Sequence, residues 1–244
     1  IGNFLKKEDI HNIEVADNIE QALAWIKTHS PDLIASAMHF SDGSALDLVK
    51  HLRAEPKTEE IPFMLVSSEH RKDQLEEYRQ SGVVAILPKP FSPVDLGIAI
   101  NATVDLLTPS ELELEYFDVH DLRVLVVDDS KLARNFIMRV LKSLGIQRLT
   151  EAVDGADGID KLNEQNFDLV VTDYNMPDVN GRELTEYIRN QSEQSHIPVL
   201  MVSSEANETH LANIEQSGVN ALCDKPFEPE NVRKILYRLL EGEE

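Results

Sequence analysis

Residues 167–181 read FDLVVTDYNMPDVNG, an apolar run that stops abruptly at an acid. Leu169, Val170, Val171 and Thr172 suit a short strand buried on both faces, while Asn175, Met176-Pro177 and Asn180-Gly181 carry loop chemistry. Asp173 is therefore expected at the carboxyl end of a buried strand, where open α/β sheets bind their ligands. One such Asp says little by itself, because many merely open a turn or cap the next helix. The rest of the chain supplies the weight.

Reading outward, residues 122–127 (LRVLVV) form a second apolar run, ended by Asp128-Asp129-Ser130. Ser130 is a fitting N-cap for a helix in which Leu132, Phe136, Val140 and Leu144 make an apolar face before Gly145. Strands are expected over 149–153, 167–172, 198–202 and 221–223, with helices over 157–165, 182–191, 207–216 and 229–240. Five strands alternating with five helices predict a parallel sheet covered on both faces, since each parallel crossover needs a helix. The expected architecture is a flavodoxin-like (βα)5 doubly wound α/β domain with strand order 2-1-3-4-5.

The chain contains this pattern twice. IPFMLVSSE at 61–69 returns as IPVLMVSSE at 197–205, an offset of 136 from Ile61 to Ile197. The same offset relates Ser81-Gly82-Val83 to Ser217-Gly218-Val219, Lys89-Pro90-Phe91 to Lys225-Pro226-Phe227, and Asp32-Leu33 to Asp168-Leu169. Two copies of one domain are expected, 1–107 and 122–244, joined over 108–121 by an acidic segment that is either an exposed linker or a short helical continuation. Ile1 matches Ile137, so the first copy lacks the counterpart of the first strand and half of the first helix. A sheet without its central strand leaves unpaired edges, so about fifteen further residues are expected upstream or from another segment.

Composition narrows the function. The 244 residues are 42% hydrophobic, enough for proper cores, and 23 Lys and Arg against 44 Asp and Glu give a formal net charge of −21. That field repels nucleic-acid backbones and anionic lipid. A single cysteine, Cys223, forms no internal disulfide, no zinc motif is present, and no run approaches a membrane span or a signal peptide, so a cytoplasmic setting is expected.

The polar residues at strand ends converge. Asp128 and Asp129 end strand one, Asp173 ends strand three, Ser203 ends strand four and Lys225 follows strand five, so the expected strand order brings all five to one rim. Carboxylates this close repel by roughly 4 kcal/mol per pair at 4 Å with an effective dielectric near 20. A hard divalent cation, Mg²⁺ or alternatively Mn²⁺, and the Lys225 ammonium would offset that repulsion.

With VLVVDDS, DLVVTDYNMPDVNG, PVLMVSS and DKPF in place, the second copy resembles the receiver domain of two-component response regulators, chemotaxis-type, along nearly its whole length. The resemblance implies that Asp173 is the phosphoacceptor, with a histidine kinase, a phosphotransfer protein or a small phosphodonor as source. It implies that Asp129 binds Mg²⁺ directly, Asp128 mainly through water, and that Asp173 and the Asn175 backbone carbonyl complete the set. Ser203 and Lys225 would neutralise phosphoryl oxygens. Asn175 and Glu205 occupy positions that tune dephosphorylation in the family, and this pair predicts a short-lived acyl phosphate. Such a domain is a signalling switch that catalyses only its own phosphorylation and dephosphorylation. The position three before Lys225, often aromatic in the family, is Leu222, with Ile86 in the other copy, which leaves switching to the Ser203 loop.

The first copy has Ala37 where the second has Asp173, while Ser67 and Lys89 remain at the hydroxyl and lysine positions. It is expected to be a degenerate pseudo-receiver used for docking or for forming a homodimer; Asp42, five residues later and matching Asp178, is not expected to stand in for the missing acid. Trp25 is expected to pack rather than bind. Two other readings compete: the regulatory half of a larger protein with an output domain such as a diguanylate cyclase, or a Mg²⁺-dependent phosphatase with an Asp nucleophile. The latter family resembles DxD at the nucleophile, whereas Tyr174 and Asn175 follow Asp173 here.

Overall fold

A computed structural model describes residues 5, 10, 12–108, 110–204 and 217–241. The chain divides into two compact units, Ile1–Val104 and Asp105–Glu244. Among the described residues no helix is long and apolar enough to cross a membrane.

In the first unit α1 (Ile19–Ile26), β1 (Ile34–Ala37), the small hairpin β2 (His39–Phe40) and β3 (Gly43–Ser44), α2 (Ala45–Ala54), β4 (Phe63–Ser67), α3 (Lys72–Gln80), β5 (Ala85–Pro88) and α4 (Pro93–Leu107) follow one another. The sheet is parallel, in the order β1-β4-β5. Phe63, Leu65, Leu48, Leu52 and Val83 form the centre of one core, and Met64, Val66, Leu87 and Leu96 that of the other face. Residues 12–17, counterpart of the second strand, form no strand, and Val15 is 80% exposed. A lone extended segment has nothing to satisfy its amides, and among the described residues the only ladder partner of β1 is β4.

The second unit has the complete alternation. It runs β6 (Arg123–Val127), α5 (Lys131–Ser143), β7 (Arg148–Ala152), α6 (Gly155–Glu164), β8 (Leu169–Asp173), α7 (Gly181–Asn190), β9 (Val199–Ser203), β10 (Ala221–Asp224) and α8 (Pro229–Glu241). The five strands are all parallel in the order β7-β6-β8-β9-β10, which is 2-1-3-4-5 by sequence. The central strands β8 and β9 are buried at every position, as unbroken apolar runs in a parallel sheet require. The helix expected over 207–216 lies outside the described residues.

Helix α5 begins where Ser130 accepts a hydrogen bond from the Ala133 amide. Its buried face is Ala133, Arg134, Phe136, Ile137, Val140 and Leu141, while Leu132 sits at the margin. Steps of four alone rotate about 40° further than a full turn each time, so the face that stays on the core combines steps of three and four.

Residues 110–121 continue the second unit. The amides of Ser110 and Leu112 donate to the carbonyls of Ser143 and Leu144 at 3.1 and 2.9 Å, and Arg233 donates to the carbonyls of Ser110 and Glu111. Leu112 and Val119 are buried, so two apolar anchors within the acidic run seat it. A matched pair of arginines also secures each unit. Arg189 donates to the carbonyls of Ser195, Ile197 and Gly218, and Arg53, at the same offset of 136, donates to those of Glu59, Ile61 and Gly82.

Candidate functional site

The carboxyl ends of the central strands of the second unit meet at one acidic rim. Register sets Val127 of β6 beside Thr172 of β8, so Asp128 leaves β6 next to Asp173, the last residue of β8. Asp128 and Asp173 are 0% and 1% exposed, whereas Asp129 is exposed. One carboxylate oxygen from each of Asp128, Asp129 and Asp173 lies within 4.8 Å of the others.

Lys225 supplies the buried cation. It follows β10, is 6% exposed, and its Nζ stands 2.8 Å from Asp173 Oδ1 and 3.3 Å from Asp128 Oδ2. Burial pushes the Asp173 carboxyl up to about 6, partly offset by Lys225 and reinforced by the Asp128 charge. Asp128 is likewise raised by burial against the pull of Lys225. Burial disfavours the Lys225 ammonium, yet the two carboxylates outweigh that and hold its pKa above the ordinary lysine value. Two buried carboxylates, with the third at the rim, exceed the single buried ammonium, so the site favours further positive charge.

Donor chemistry fits a hard divalent cation. All three acids offer oxygen, Asp129 keeps one side open to water, and Asp173 Oδ2 is buried with no hydrogen-bond partner among the described residues. A buried carboxylate oxygen without a donor is costly unless something else satisfies it.

The backbone around Asp173 is tightly constrained. The Tyr174 amide donates to the Val202 carbonyl, the Gly181 amide to the Tyr174 carbonyl, and the Thr172 hydroxyl to the Asp173 carbonyl. A Cβ at Gly181 would run into the Asp173 carbonyl oxygen, so a glycine at the start of α7 permits its close approach to the end of β8. Asn180 caps that helix through the Glu183 amide.

Ser203 ends β9, is buried, and its carbonyl accepts from the Lys225 amide at 2.9 Å. Asn175 is exposed in the loop after Asp173, and Glu205 lies outside the described residues. Leu222 is half-buried and Cys223 buried, with burial pushing the Cys223 thiol up to about 12. Arg134, which the sequence reading passed over, is 5% exposed and donates to the Asp128 carbonyl. Its signal was an arginine falling on the apolar face of a helix.

The first unit has a different centre. Ala37 ends β1, and the Ser67 hydroxyl at the end of β4 points to Met38 Sδ at 3.5 Å. Lys89 is exposed, in contrast to Lys225. Asp42 accepts from the Ile19 and Glu20 amides at 3.1 and 3.0 Å, and these bonds hold its carboxyl below the ordinary range. Through these two bonds it caps the start of α1.

A sheet of this order with an acid cluster and a lysine at its rim defines a receiver module. The family of response regulator receiver domains matches residues 1–101 and 124–237, and the chain belongs to that family, as a tandem pair of receiver domains. Chemotaxis protein CheY-3 of Vibrio cholerae is 36% identical over 121 residues, 50% of this chain and 93% of the relative. Chemotaxis protein CheY of Pseudomonas aeruginosa is 35% identical over 120 residues, 49% of this chain and 97% of the relative. The solved structure of CheY4 of Vibrio cholerae has 32% identity and a TM-score of 0.46, covering 49% of this chain and 98% of that one.

Proposed function

We propose that the second unit is a phosphorylation switch in a two-component phosphorelay, with Asp173 the phosphoacceptor. The observation that carries this reading is the Lys225 ammonium 2.8 Å from Asp173 Oδ1, beside an Asp173 Oδ2 with no hydrogen-bond partner among the described residues. An ionised Asp173 oxygen attacks the phosphorus of a phosphohistidine on a histidine kinase or phosphotransfer protein. The phosphorus–nitrogen bond breaks, its electron pair stays on the imidazole, and an acyl phosphate forms on Asp173. Lys225 then pairs with a phosphoryl oxygen, and the Ser203 hydroxyl turns toward another, drawing its loop along. Asp128, Asp129, Asp173 and the Asn175 carbonyl would hold Mg²⁺, or Mn²⁺ in its place. The ion's chemistry is neutralisation of the oxygens around phosphorus.

Asn175 and Glu205 set a short lifetime, so phosphate should leave the protein without a phosphatase; retention over many hours would contradict this part. The first unit serves as a docking or dimerising module, since Ala37 offers no nucleophile and Lys89 stands out in solvent. Treatment with a small phosphodonor and Mg²⁺, followed by mass mapping, tests the central claim. One phosphoryl group is expected on Asp173, and label elsewhere, or label surviving Asp173→Asn, overturns it.

A further inference from the structure

Arg134 lies on the buried face of α5, five residues beyond Asp129, an unusual place for a cation in a well-packed helix face. Its Nη1 donates to the Asp128 backbone carbonyl at 2.6 Å, and its Nε donates to Glu151 Oε2 at 2.9 Å. Glu151 belongs to β7, and its side chain is 53% exposed. The guanidinium thus joins three pieces: the first turns of α5, the peptide between Asp128 and Asp129, and the neighbouring strand. Two further bonds fix the same turn, from the Asp128 amide to the Ala152 carbonyl at 3.3 Å and from the Ser130 amide to Asp128 Oδ1 at 2.8 Å.

The carbonyl that Arg134 holds belongs to the peptide leading into Asp129. Asp129 is exposed, and the orientation of that peptide helps to set where its Cα–Cβ bond starts and points. A charge-assisted bond from a rigid guanidinium fork is stronger and more directional than a neutral one. Buried donors that orient metal-ligating groups, without touching the ion, commonly control affinity by 10–100-fold. We propose that Arg134, steadied by Glu151, is a positioning residue that presents the Asp128-Asp129 pair to the divalent cation. This assignment rests on the phosphoacceptor reading of the site.

The test compares the full chain with Arg134→Gln, Arg134→Lys, Glu151→Gln and, as a remote control, Arg182→Ala on the exposed side of α7. Mg²⁺ affinity is measured by calorimetry, and labelling of Asp173 by a small phosphodonor is followed across Mg²⁺ concentrations. Arg134→Gln should weaken Mg²⁺ about 10-fold or more, slow labelling at low Mg²⁺, and recover the wild-type rate at saturating Mg²⁺, because Asp173 and Lys225 are intact. Arg134→Lys should lie nearer to Arg134→Gln than to wild type, since one ammonium cannot reproduce the fork. Glu151→Gln should weaken Mg²⁺ less than Arg134→Gln while leaving the fold unperturbed, which keeps the proposal open to refutation if both Arg134 variants unfold. A wild-type Mg²⁺ affinity in folded Arg134 variants, or in Glu151→Gln, overturns the assignment of Arg134 alone. A wild-type chain that neither binds Mg²⁺ nor accepts label would instead remove the phosphoacceptor reading and this one with it.

Discussion

Replacing Lys225 with Met removes the ammonium that bridges Asp128 and Asp173 and leaves two buried acids. At 2.8 and 3.3 Å the lost contacts represent about 6 and about 5 kcal/mol of gross attraction at an effective dielectric near 20. Against that stands the hydration that the ammonium gives up on burial, several kcal/mol, so the net loss expected at pH 7 is about 3–5 kcal/mol. The pH dependence is distinctive. The folded-state pKa of Asp173, about 6, lies above the ordinary 3.8, so the folded chain binds more protons than the unfolded chain between those values. Its ionisation therefore lowers stability as pH rises through that window. At pH 5 both proteins hold Asp173 largely protonated, the charge that Lys225 serves is reduced, and the difference between them should shrink by about 1.4 kcal/mol per pH unit for each carboxyl that takes up a proton. Amide hydrogen exchange of β8, whose Val170 amide is bonded to the Pro198 carbonyl, reports this free energy within the second unit when measured in chelator. A loss under about 1 kcal/mol at pH 7 would refute the electrostatic account. So would an equal loss at both pH values.

Three further outcomes are expected. Gly181→Ala should cost about 1–3 kcal/mol and slow labelling at any Mg²⁺ concentration, because the new Cβ displaces the Asp173 carbonyl; urea titration with a labelling time course reads both effects. Asp128→Asn removes a charge that raises Asp173, so the midpoint of the Asp173 carboxyl carbon shift, near 6 in the wild type, should move down in metal-free NMR titrations. An upward move would mean that the lost neighbour was not repelling it. Ala37→Asp should leave the first unit unlabelled in mass mapping, because Lys89 is exposed and the acid cluster found among the described residues belongs to the second unit.

Much of this was legible in the chain. The offset of 136 between IPFMLVSSE and IPVLMVSSE disclosed the tandem repeat, and the apolar runs ending in Asp128, Asp173 and Ser203 marked strand ends whose order then brought the acids together. What stayed hidden depends on partners distant in sequence. Residues 12–17 carry strand-like residues, yet a strand exists only if a neighbour takes up its amides. The acidic character of residues 108–121 left an exposed linker and a short helical continuation both open, and the burial of Leu112 and Val119 and the bonds of the Ser110 and Leu112 amides to the end of α5 depend on residues distant in sequence. Asp42 matches Asp178 in sequence, and nothing local reveals that its carboxylate caps α1, more than twenty residues earlier. Arg134 drew no notice, because the carbonyl it serves is invisible to side-chain pattern.

Trp25 is the chain's one tryptophan; it lies in the first unit, the one with Ala37, stacked on His29 with ring centroids 4.4 Å apart. Its emission is therefore a built-in reporter for the half of the tandem that carries Ala37. Light from that indole which changes when phosphodonor is added, and does not change in Asp173→Asn, would be a message that had travelled from the second unit to the first, read with no label attached.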